Sequence, residues 1–350
     1  MSRGDADGAP QARVHVRVPA TSANLGPGFD ALGLALSLYD DVEARVTAGG
    51  LDIEVDGEGA DQHLADAGEQ HLVVRAMRAA FDTIGSGKQP PGLALRCTNR
   101  IPHGRGLGSS AAAIVAGVLA AAALAEPDAD PDEPDAHLDE PDALALATRI
   151  EGHPDNVAAC LAGGLTIAWT TDDGTPHRAK LQPNPAIRPV AIIAPPEIAV
   201  RTEIARQALP ATVPHRDAAA NAGRAALLIA ALTQDEAAKN LHDATEDWLH
   251  QNYRATAMPH TYALVQALRQ AGIAAVVSGA GPSVLAIFAQ DSRRDLDSLG
   301  SIVRETGKAW RISPLAVEPQ GARLLRPDIG GFHGTDTPSL RDTDGCEGMP

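Results

Sequence analysis

The spacing of apolar residues changes type several times between residues 13 and 320. Val14, Val16 and Val18 alternate with polar residues, which predicts a half-buried strand over 13–18. Residues 70–84 instead carry apolar side chains at intervals of three and four, the pattern of an amphipathic helix. Further strands are expected at 34–46, 51–55, 92–98, 165–170, 190–194, 273–277, 284–288 and 310–317. Helices are expected at 111–125, 143–150, 157–161, 198–208, 218–232, 259–271 and 296–306. This mixture predicts an α/β or α+β chain.

One glycine-rich stretch stands between the strand at 92–98 and the helix at 111–125. Residues 102–112 read P-H-G-R-G-L-G-S-S-A-A, and the alanine-rich run that follows contains no proline. Glycine lets a backbone approach a ligand closely, and Ser109 or Ser110 suits a helix N-cap. A helix N-terminus offers free N–H groups and a partial positive charge. The stretch therefore predicts a phosphate-binding loop.

Two common phosphate motifs do not match residues 102–112. No lysine follows the glycines, as a Walker A loop requires, and their spacing is G-x-G-x-G rather than the G-x-G-x-x-G of a dinucleotide fold. A tight loop before a buried helix is the alternative interpretation.

Other polar loops carry groups that could bind a ligand. Residues 19–33 are too rich in Gly, Pro, Ser and Asn for regular structure, and they contain Thr21, Ser22, Asn24 and Asp30. Turn geometry alone would also explain Asn24 and the glycines.

Composition narrows the class of protein. The 350 residues carry a net charge of −16, which opposes a nucleic-acid partner. Residues 126–142 hold nine of the acids and are expected to form a solvated insertion rather than a metal site. Residues 1–12 and 326–350 are expected to be disordered tails. Cys97, Cys160 and Cys346 lack disulfide or metal spacing, and no secretory signal or membrane span is evident, so a cytoplasmic enzyme is expected.

The stretch 102–112 resembles the phosphate-binding loop of the GHMP small-molecule kinases. Four more strings, in the same order along the chain, resemble the homoserine kinase family of that superfamily, and a sixth at 202–210 (T-E-I-A-R-Q-A-L-P) is similar but weaker. The four are V-P-A-T-S-A-N-L-G-P-G-F-D at 18–30, E-G-H-P-D-N-V at 151–157, Tyr253-Arg254 with Met258-Pro259, and S-G-A-G-P-S at 278–283.

The resemblance implies an α+β fold with the active site between two domains. An N-terminal domain like ribosomal protein S5 domain 2 would cover 13–175 and carry the ATP loop. A ferredoxin-like C-terminal domain would cover 176–325.

The resemblance also implies a reaction, namely transfer of the ATP γ-phosphoryl group to the side-chain hydroxyl of L-homoserine. The product is O-phospho-L-homoserine, and the family's step belongs to threonine biosynthesis. Ser109, Ser110 and Arg105 are expected to stabilise the transferring phosphate, and Ser110 and Glu151 to ligate Mg²⁺. No general base is assigned.

The remaining implied site residues fall into two groups. ATP would contact Pro102, His103, Gly104, Arg105, Gly106, Leu107, Gly108, Ser109, Ser110, Ala111 and Ala112. Homoserine would contact Asn24, Asp30, His153, Asp155, Thr202, Arg206, Arg254 and Gly279, with the two arginines suited to its carboxylate.

Several alternatives stay open at this level. Glu151 could be a helix-end acid, and Arg206 and Arg254 could form surface ion pairs, worth about 0–1 kcal/mol each. The chain could be another GHMP kinase acting on mevalonate or a sugar, or a non-catalytic nucleotide- or amino-acid-binding protein. No nucleic-acid or membrane partner is expected, and a homodimer is left open.

Overall fold

The computed structural model describes residues 13–62, 64–84, 88–125, 140–198, 200, 202–236, 238–289 and 293–325. The two predicted tails, Cys346 and residues 126–139 of the predicted insertion lie outside the described residues.

Strands and helices follow one another in a mixed order along the chain. The strands are β1 (Arg13–Ala23), β2 (Leu32–Thr47), β3 (Gly50–Gly57), β4 (Gly92–Asn99), β5 (Leu165–Thr170), β6 (Pro176–Leu181), β7 (Arg188–Ile193), β8 (Ala274–Val277), β9 (Val284–Phe288), β10 (Arg311–Pro314) and β11 (Arg323–Leu325). The α-helices are α1 (Leu72–Thr83), α2 (Ser109–Ala125), α3 (Glu140–Glu151), α4 (Asp155–Ala162), α5 (Thr202–Gln207), α6 (His215–Thr233), α7 (Leu241–Ala244), α8 (Gln251–Arg254), α9 (Pro259–Gln270) and α10 (Arg293–Glu305).

The larger sheet has seven strands and supports the glycine loop. Its path is β11-β1-β2-β4-β3, with β5 pairing to β2 and β6 to β5, and β3 lies parallel to β4. Helix α2 packs on this sheet and is buried on nearly every side, as expected for a helix that is apolar all round. Gly117 lets α1 approach α2, because a Cβ there would lie 2.5 Å from the carbonyl oxygen of Val73.

The smaller sheet is antiparallel, in the order β10-β7-β9-β8, and both of its faces are buried. Ala191 and Ile193 face the core shared with the larger sheet, whereas Val190 and Ile192 face a second core with α9 and α10. Side chains of a strand alternate between its faces, so this sheet joins the two halves of the molecule through a continuous apolar core.

Two differences between the structure and the sequence interpretation bear on the site and on the domain boundary. β1 continues to Ala23, so the irregular part of the predicted loop 19–33 shrinks to residues 24–31. The predicted boundary after residue 175 would cut the β5–β6 hairpin, since Thr170 pairs with Pro176 and β6 belongs to the larger sheet. The chain leaves that sheet only after Leu181 and returns to it at β11, which pairs with β1.

Among the described helices, none has both the length and the apolar content needed to cross a lipid bilayer.

Candidate active site

The predicted phosphate loop connects β4 to the N-terminus of α2. Gly104, Gly106 and Gly108 all have left-handed φ angles, of 63°, 72° and 70°, which glycine adopts at least cost. The N–H of Ala112 donates to the carbonyl of Gly108 at 2.9 Å and starts the helical hydrogen-bond pattern. The first N–H groups of a helix have no acceptor within it. The loop therefore presents backbone donors and the positive end of α2 to an anion.

Contacts from both sheets hold this loop in place. The N–H of Thr21 donates to the carbonyl of Leu107 at 3.0 Å, and the Ser278 hydroxyl donates to the carbonyl of Gly106 at 2.6 Å. A Cβ at Gly106 would lie 2.2 Å from the Ser278 carbonyl oxygen, and one at Gly108 would lie 2.0 Å from Thr21 Oγ1. Glycine is therefore required at both positions by φ and by a close contact, with a backbone carbonyl at Gly106 and with a threonine hydroxyl at Gly108.

A cavity of about 630 Å³ lies beside the loop, where the two sheets meet. It collects most of the site residues predicted from the sequence. Those that line it are Asn24, Asp30, Gly104, Gly106, Gly108, Ser109, Ser110, Glu151, His153, Asp155, Arg206, Arg254 and Gly279.

Other predicted site residues lie elsewhere. Leu107, Ala111 and Ala112 are buried in the core behind the loop, together with Pro102. The Arg105 guanidinium lies 3.5 Å from the carbonyl of Pro196 and does not line the cavity. Thr202 begins α5, but its side chain is outside the described set.

One end of the cavity is acidic. The Ser110 hydroxyl donates to Glu151 Oε1 at 2.6 Å, and burial raises the pKa of Glu151 above its ordinary value. His153 Nδ1 lies 3.4 Å from Asp155 Oδ1, outside good hydrogen-bond alignment, and the proximity of this carboxylate raises the pKa of His153.

The acidic end also supplies oxygen donors that fit Mg²⁺. A hydroxyl and a carboxylate are hard ligands, and Mg²⁺ commonly takes one or two protein oxygens together with substrate phosphates. No group of three or more His, Cys, Asp or Glu side chains suited to a metal occurs within the described residues. A cation at Ser110 and Glu151 would therefore depend on phosphate oxygens for its other ligands.

Two arginines, Arg206 and Arg254, line the same cavity and make this part of it basic. Arg206 makes a two-pronged ion pair with Asp30, at 3.1 and 2.9 Å. Arg254 is only 1% exposed, and burial, followed by the charge of Arg206, lowers its pKa. Within the described part of the chain no ion pair joins Arg254 to a carboxylate, and its Nε atom has no hydrogen-bond partner. Such a buried cation favours an anion in the cavity.

Asn24 differs in part from its predicted role. Its amide nitrogen donates to the carbonyl of Gly279 at 2.8 Å, and its Oδ1 accepts from the N–H of Asp30 at 2.9 Å. Both ends of this side chain therefore order the surrounding backbone, although the residue lines the cavity.

Several lining residues were not predicted as site residues. Asn156 accepts a hydrogen bond from Thr21 Oγ1 at 2.8 Å, and its place in the string at 151–157 was the available signal. The others are Ala23, Gly152, Val200, Ala280 and Gly281, small or apolar residues that carry no chemical signal in a sequence.

A second cleft, of about 270 Å³, lies on the other side of the α2 N-terminus and shares Ser109 and Ser110 with the cavity. His71 and His103 line it among apolar side chains such as Leu72, and burial lowers the pKa of both histidines. Among the described atoms, His71 Nδ1 is buried without a hydrogen-bond partner. The cleft is an apolar slot with unused hydrogen-bonding capacity.

Comparison with known families agrees with this architecture. The GHMP kinases N terminal domain matches residues 71–164, and the GHMP kinases C terminal domain matches residues 227–309. The fold and the cavity are thus those of a GHMP kinase, a class of ATP-dependent enzymes. This confirms the expected α+β fold with N- and C-terminal kinase domains.

Individual relatives narrow the family further. The homoserine kinase of Streptomyces avermitilis is 52% identical over 315 residues, covering 90% of this chain and 96% of the relative, and that of Streptomyces coelicolor is equally similar, covering 90% and 95%. The crystal structure of homoserine kinase from Cytophaga hutchinsonii superposes with a TM-score of 0.74 at 26% identity, covering 92% of this chain and all of that one. The chain belongs to the homoserine kinase family.

Proposed function

We propose that this chain transfers the γ-phosphoryl group of ATP to the side-chain hydroxyl of L-homoserine and releases O-phospho-L-homoserine. Close similarity to homoserine kinases supports this reaction over the mevalonate or sugar alternatives. The observation that carries it is one cavity lined both by the phosphate loop and by the buried Arg254, which forms no ion pair with a carboxylate among the described residues.

The basic end suits the carboxylate of an amino acid. Arg254 can donate from a guanidinium that lacks an ion-pair partner among the described side chains, and a guanidinium matches a carboxylate geometrically. Arg206 is fixed by Asp30, so it adds positive charge at a defined position. Asp155 and Asp30 supply acceptors for the substrate ammonium. Discrimination against substrates without a carboxylate would follow, because an unpaired buried cation is costly.

ATP would span the α2 N-terminus. Its β- and γ-phosphates would lie on the loop N–H groups, and its base would enter the second cleft, where His71 Nδ1 and Asn99 can form hydrogen bonds. Lowered pKa values keep His71 and His103 neutral at pH 7, which suits an uncharged base.

Transfer then depends mainly on position and on charge stabilisation. Mg²⁺, held by Ser110 and Glu151, would neutralise phosphate charge when bound. The proposal assigns no general base, and the hydroxyl proton passes to an oxygen of the transferred phosphoryl group. Arg105, predicted to contact phosphate, and Thr202, predicted to contact homoserine, stay predictions, as do the cytoplasmic location and the homodimer.

A coupled ADP-release assay with ATP and Mg²⁺ tests the reaction. L-Homoserine, L-serine and mevalonate are offered in parallel, and turnover is expected with homoserine. Turnover with mevalonate alone would replace the substrate assignment, and ATP binding without turnover of any of the three would favour a binding protein.

Arg254→Ala tests the carboxylate site. We expect kcat/KM for homoserine to fall at least about 100-fold, the effect of about 3 kcal/mol from a lost charge-assisted contact, with the KM for ATP nearly unchanged. Arg304→Ala, on the exposed surface of α10, is the matched control and should behave as wild type. Unchanged homoserine kinetics in Arg254→Ala would overturn the assignment.

A further inference from the structure

A histidine outside the cavity lining contacts the buried Arg254. His250 is 1% exposed and immediately precedes α8, which carries Arg254. Its Nδ1 lies 3.2 Å from Arg254 Nη1, and its Nε2 lies 2.8 Å from the carbonyl oxygen of Gly26. The ring therefore connects the loop after β1 with the arginine at the basic end of the cavity.

The two partners fix the protonation state of this ring. A guanidinium can only donate, so Nδ1 must present a lone pair to Arg254, and a carbonyl can only accept, so Nε2 must carry the hydrogen. His250 is thus neutral and in the Nε2–H form. Burial lowers its pKa, and Arg254 lowers it further, against an opposing effect of Asp247.

Packing restricts the ring and the guanidinium together. The Phe29 ring stacks on His250 with centroids 5.0 Å apart, and the Arg254 guanidinium lies 5.3 Å from the centre of Phe29. Both contacts come from the loop that also carries Asp30.

The charges that face His250 do not offer a competing partner. Asp247 Oδ2 lies 3.6 Å from Nε2, but Asp247 accepts backbone hydrogen bonds from residues 249, 250 and 251 at 2.9, 3.1 and 2.6 Å. Asp30, across the loop, acts on His250 at longer range. On the Arg254 side the charged neighbours are Arg206, Asp30, Asp247 and Asp155.

We propose that His250 is a positioning residue: its neutral imidazole accepts a hydrogen bond from Arg254 and holds the guanidinium toward the substrate carboxylate. This inference rests on the proposed function, in which Arg254 binds that carboxylate. The consequence is that His250 sets affinity for amino-acid substrates without contacting ATP or the transferred phosphate.

Two conservative variants separate the two hydrogen bonds of the ring. In His250→Asn the amide oxygen occupies roughly the place of Nδ1 and can accept from Arg254, but nothing reaches Gly26. In His250→Gln the longer side chain can donate to Gly26, and the acceptor for Arg254 is lost. The pair therefore removes one contact at a time.

The homoserine KM should rise more in His250→Gln than in His250→Asn. We expect it to rise about ten-fold in His250→Gln, the effect of losing one hydrogen bond to a charged group, and less than about three-fold in His250→Asn. The KM for ATP should stay unchanged in both. Thermal stability should fall at least as far in His250→Asn, because that variant loses the Gly26 contact. The reverse KM order, or a KM that follows thermal stability in both variants, would overturn the proposal.

Two further measurements distinguish this proposal from the proposed function. The first uses 3-aminopropan-1-ol, which is homoserine without its carboxylate, and its turnover should be equal in wild type and His250→Gln. If His250→Gln instead loses the same fraction of its activity with both substrates, His250 does not act through a carboxylate contact. Long-range ¹H–¹⁵N NMR of histidine-labelled wild type should show the Nε2–H tautomer at a fully buried histidine that disappears in His250→Gln. The Nδ1–H tautomer or a charged ring would overturn the proposal, whatever substrate the enzyme uses.

Discussion

At the scale of single residues, Ser110 and Glu151 are the proposed ligands of Mg²⁺, and a variant of Glu151 tests this role. Glu151→Gln keeps an acceptor for the Ser110 hydroxyl but removes the negative charge that attracts a cation. We expect the Mg²⁺ concentration for half-maximal activity to rise about ten-fold or more, as for loss of one of very few protein ligands. Titrating Mg²⁺ at fixed ATP measures this.

A second glutamate provides the control for that experiment. Glu69 is largely exposed and pairs with Arg78 at the surface, so Glu69→Gln should leave the Mg²⁺ dependence unchanged. An equal Mg²⁺ requirement in Glu151→Gln and wild type would remove Glu151 from the metal site and leave it as an acceptor for Ser110.

Single residues also show which contacts can be predicted from the sequence and which cannot. Arg254 and the loop glycines belong to motifs, so the chain predicts their place in the cavity. His250 belongs to no recognised motif, and its partner Gly26 lies 224 positions away in the sequence, so only the folded chain reveals the contact. Asn24 shows a different case: the resemblance predicts that it contacts the substrate, and in the structure its amide forms hydrogen bonds to the backbone at both ends.

At the scale of elements, the glycine loop is held against a second loop by backbone proximity. Gly106→Ala would place a Cβ 2.2 Å from the Ser278 carbonyl oxygen and 2.9 Å from that of Gly281, so one loop must move. Gly174 also has a left-handed φ, of 86°, but lies in open space, so Gly174→Ala carries only the backbone cost of about 1 kcal/mol.

The comparison of these two variants measures the contact between the loops. We expect kcat/KM for ATP to fall at least about 100-fold in Gly106→Ala, because displacing phosphate donors by a fraction of an ångström removes several kcal/mol of stabilisation. Gly174→Ala should retain wild-type kinetics with a slightly lower melting temperature. If the two variants lose the same modest stability and neither loses activity, the tight contact is not needed for the reaction.

Helices and strands are predicted well where the hydrophobic pattern is strong. They are predicted poorly where only pairing with another strand determines the structure. α2 follows directly from its alanine-rich sequence. The continuation of β1 through residues 20–23 does not, since A-T-S-A resembles a loop until it pairs with β2 beyond an irregularity at Pro19. β6 is an edge strand in which only half of the side chains are apolar, and its pairing with β5 makes it a strand.

At the scale of the whole molecule, buried histidines should make the fold sensitive to acid. The pKa values of His71, His103 and His250 are lowered, mainly by burial. Below pH 6.5 the unfolded chain therefore takes up protons that the folded chain does not, and stability is lost as pH falls. The raised pKa of His153 stabilises the fold below pH 6.5, and this contribution is lost as pH rises through the raised value.

Two neighbouring aspartates, Asp40 and Asp41, affect the stability of the fold in different pH ranges. Burial raises the pKa of Asp40 to about 6, so Asp40 stabilises the fold as pH falls from 6 to 3.8. This partly offsets the stability that the histidines lose over the same range. Hydrogen bonds from His15, Arg17 and Arg100 hold the pKa of Asp41 below its usual range despite its burial, so its contribution is lost only below pH 3.8. Between pH 6.5 and 6, above the pKa of Asp40, the three histidines with lowered pKa values outnumber Glu151, whose raised pKa acts in the opposite direction.

The free energy of unfolding should accordingly fall between pH 7 and 5.5, by up to about 1.4 kcal/mol per pH unit for each proton taken up only on unfolding. Urea unfolding at several pH values measures this slope. His250→Gln removes one of the three histidines and should make the slope shallower, whereas His260→Gln, at the exposed start of α9, should not. A slope that is equal in wild type and His250→Gln would mean that folding does not lower the pKa of His250, contrary to the effects of its burial and of Arg254.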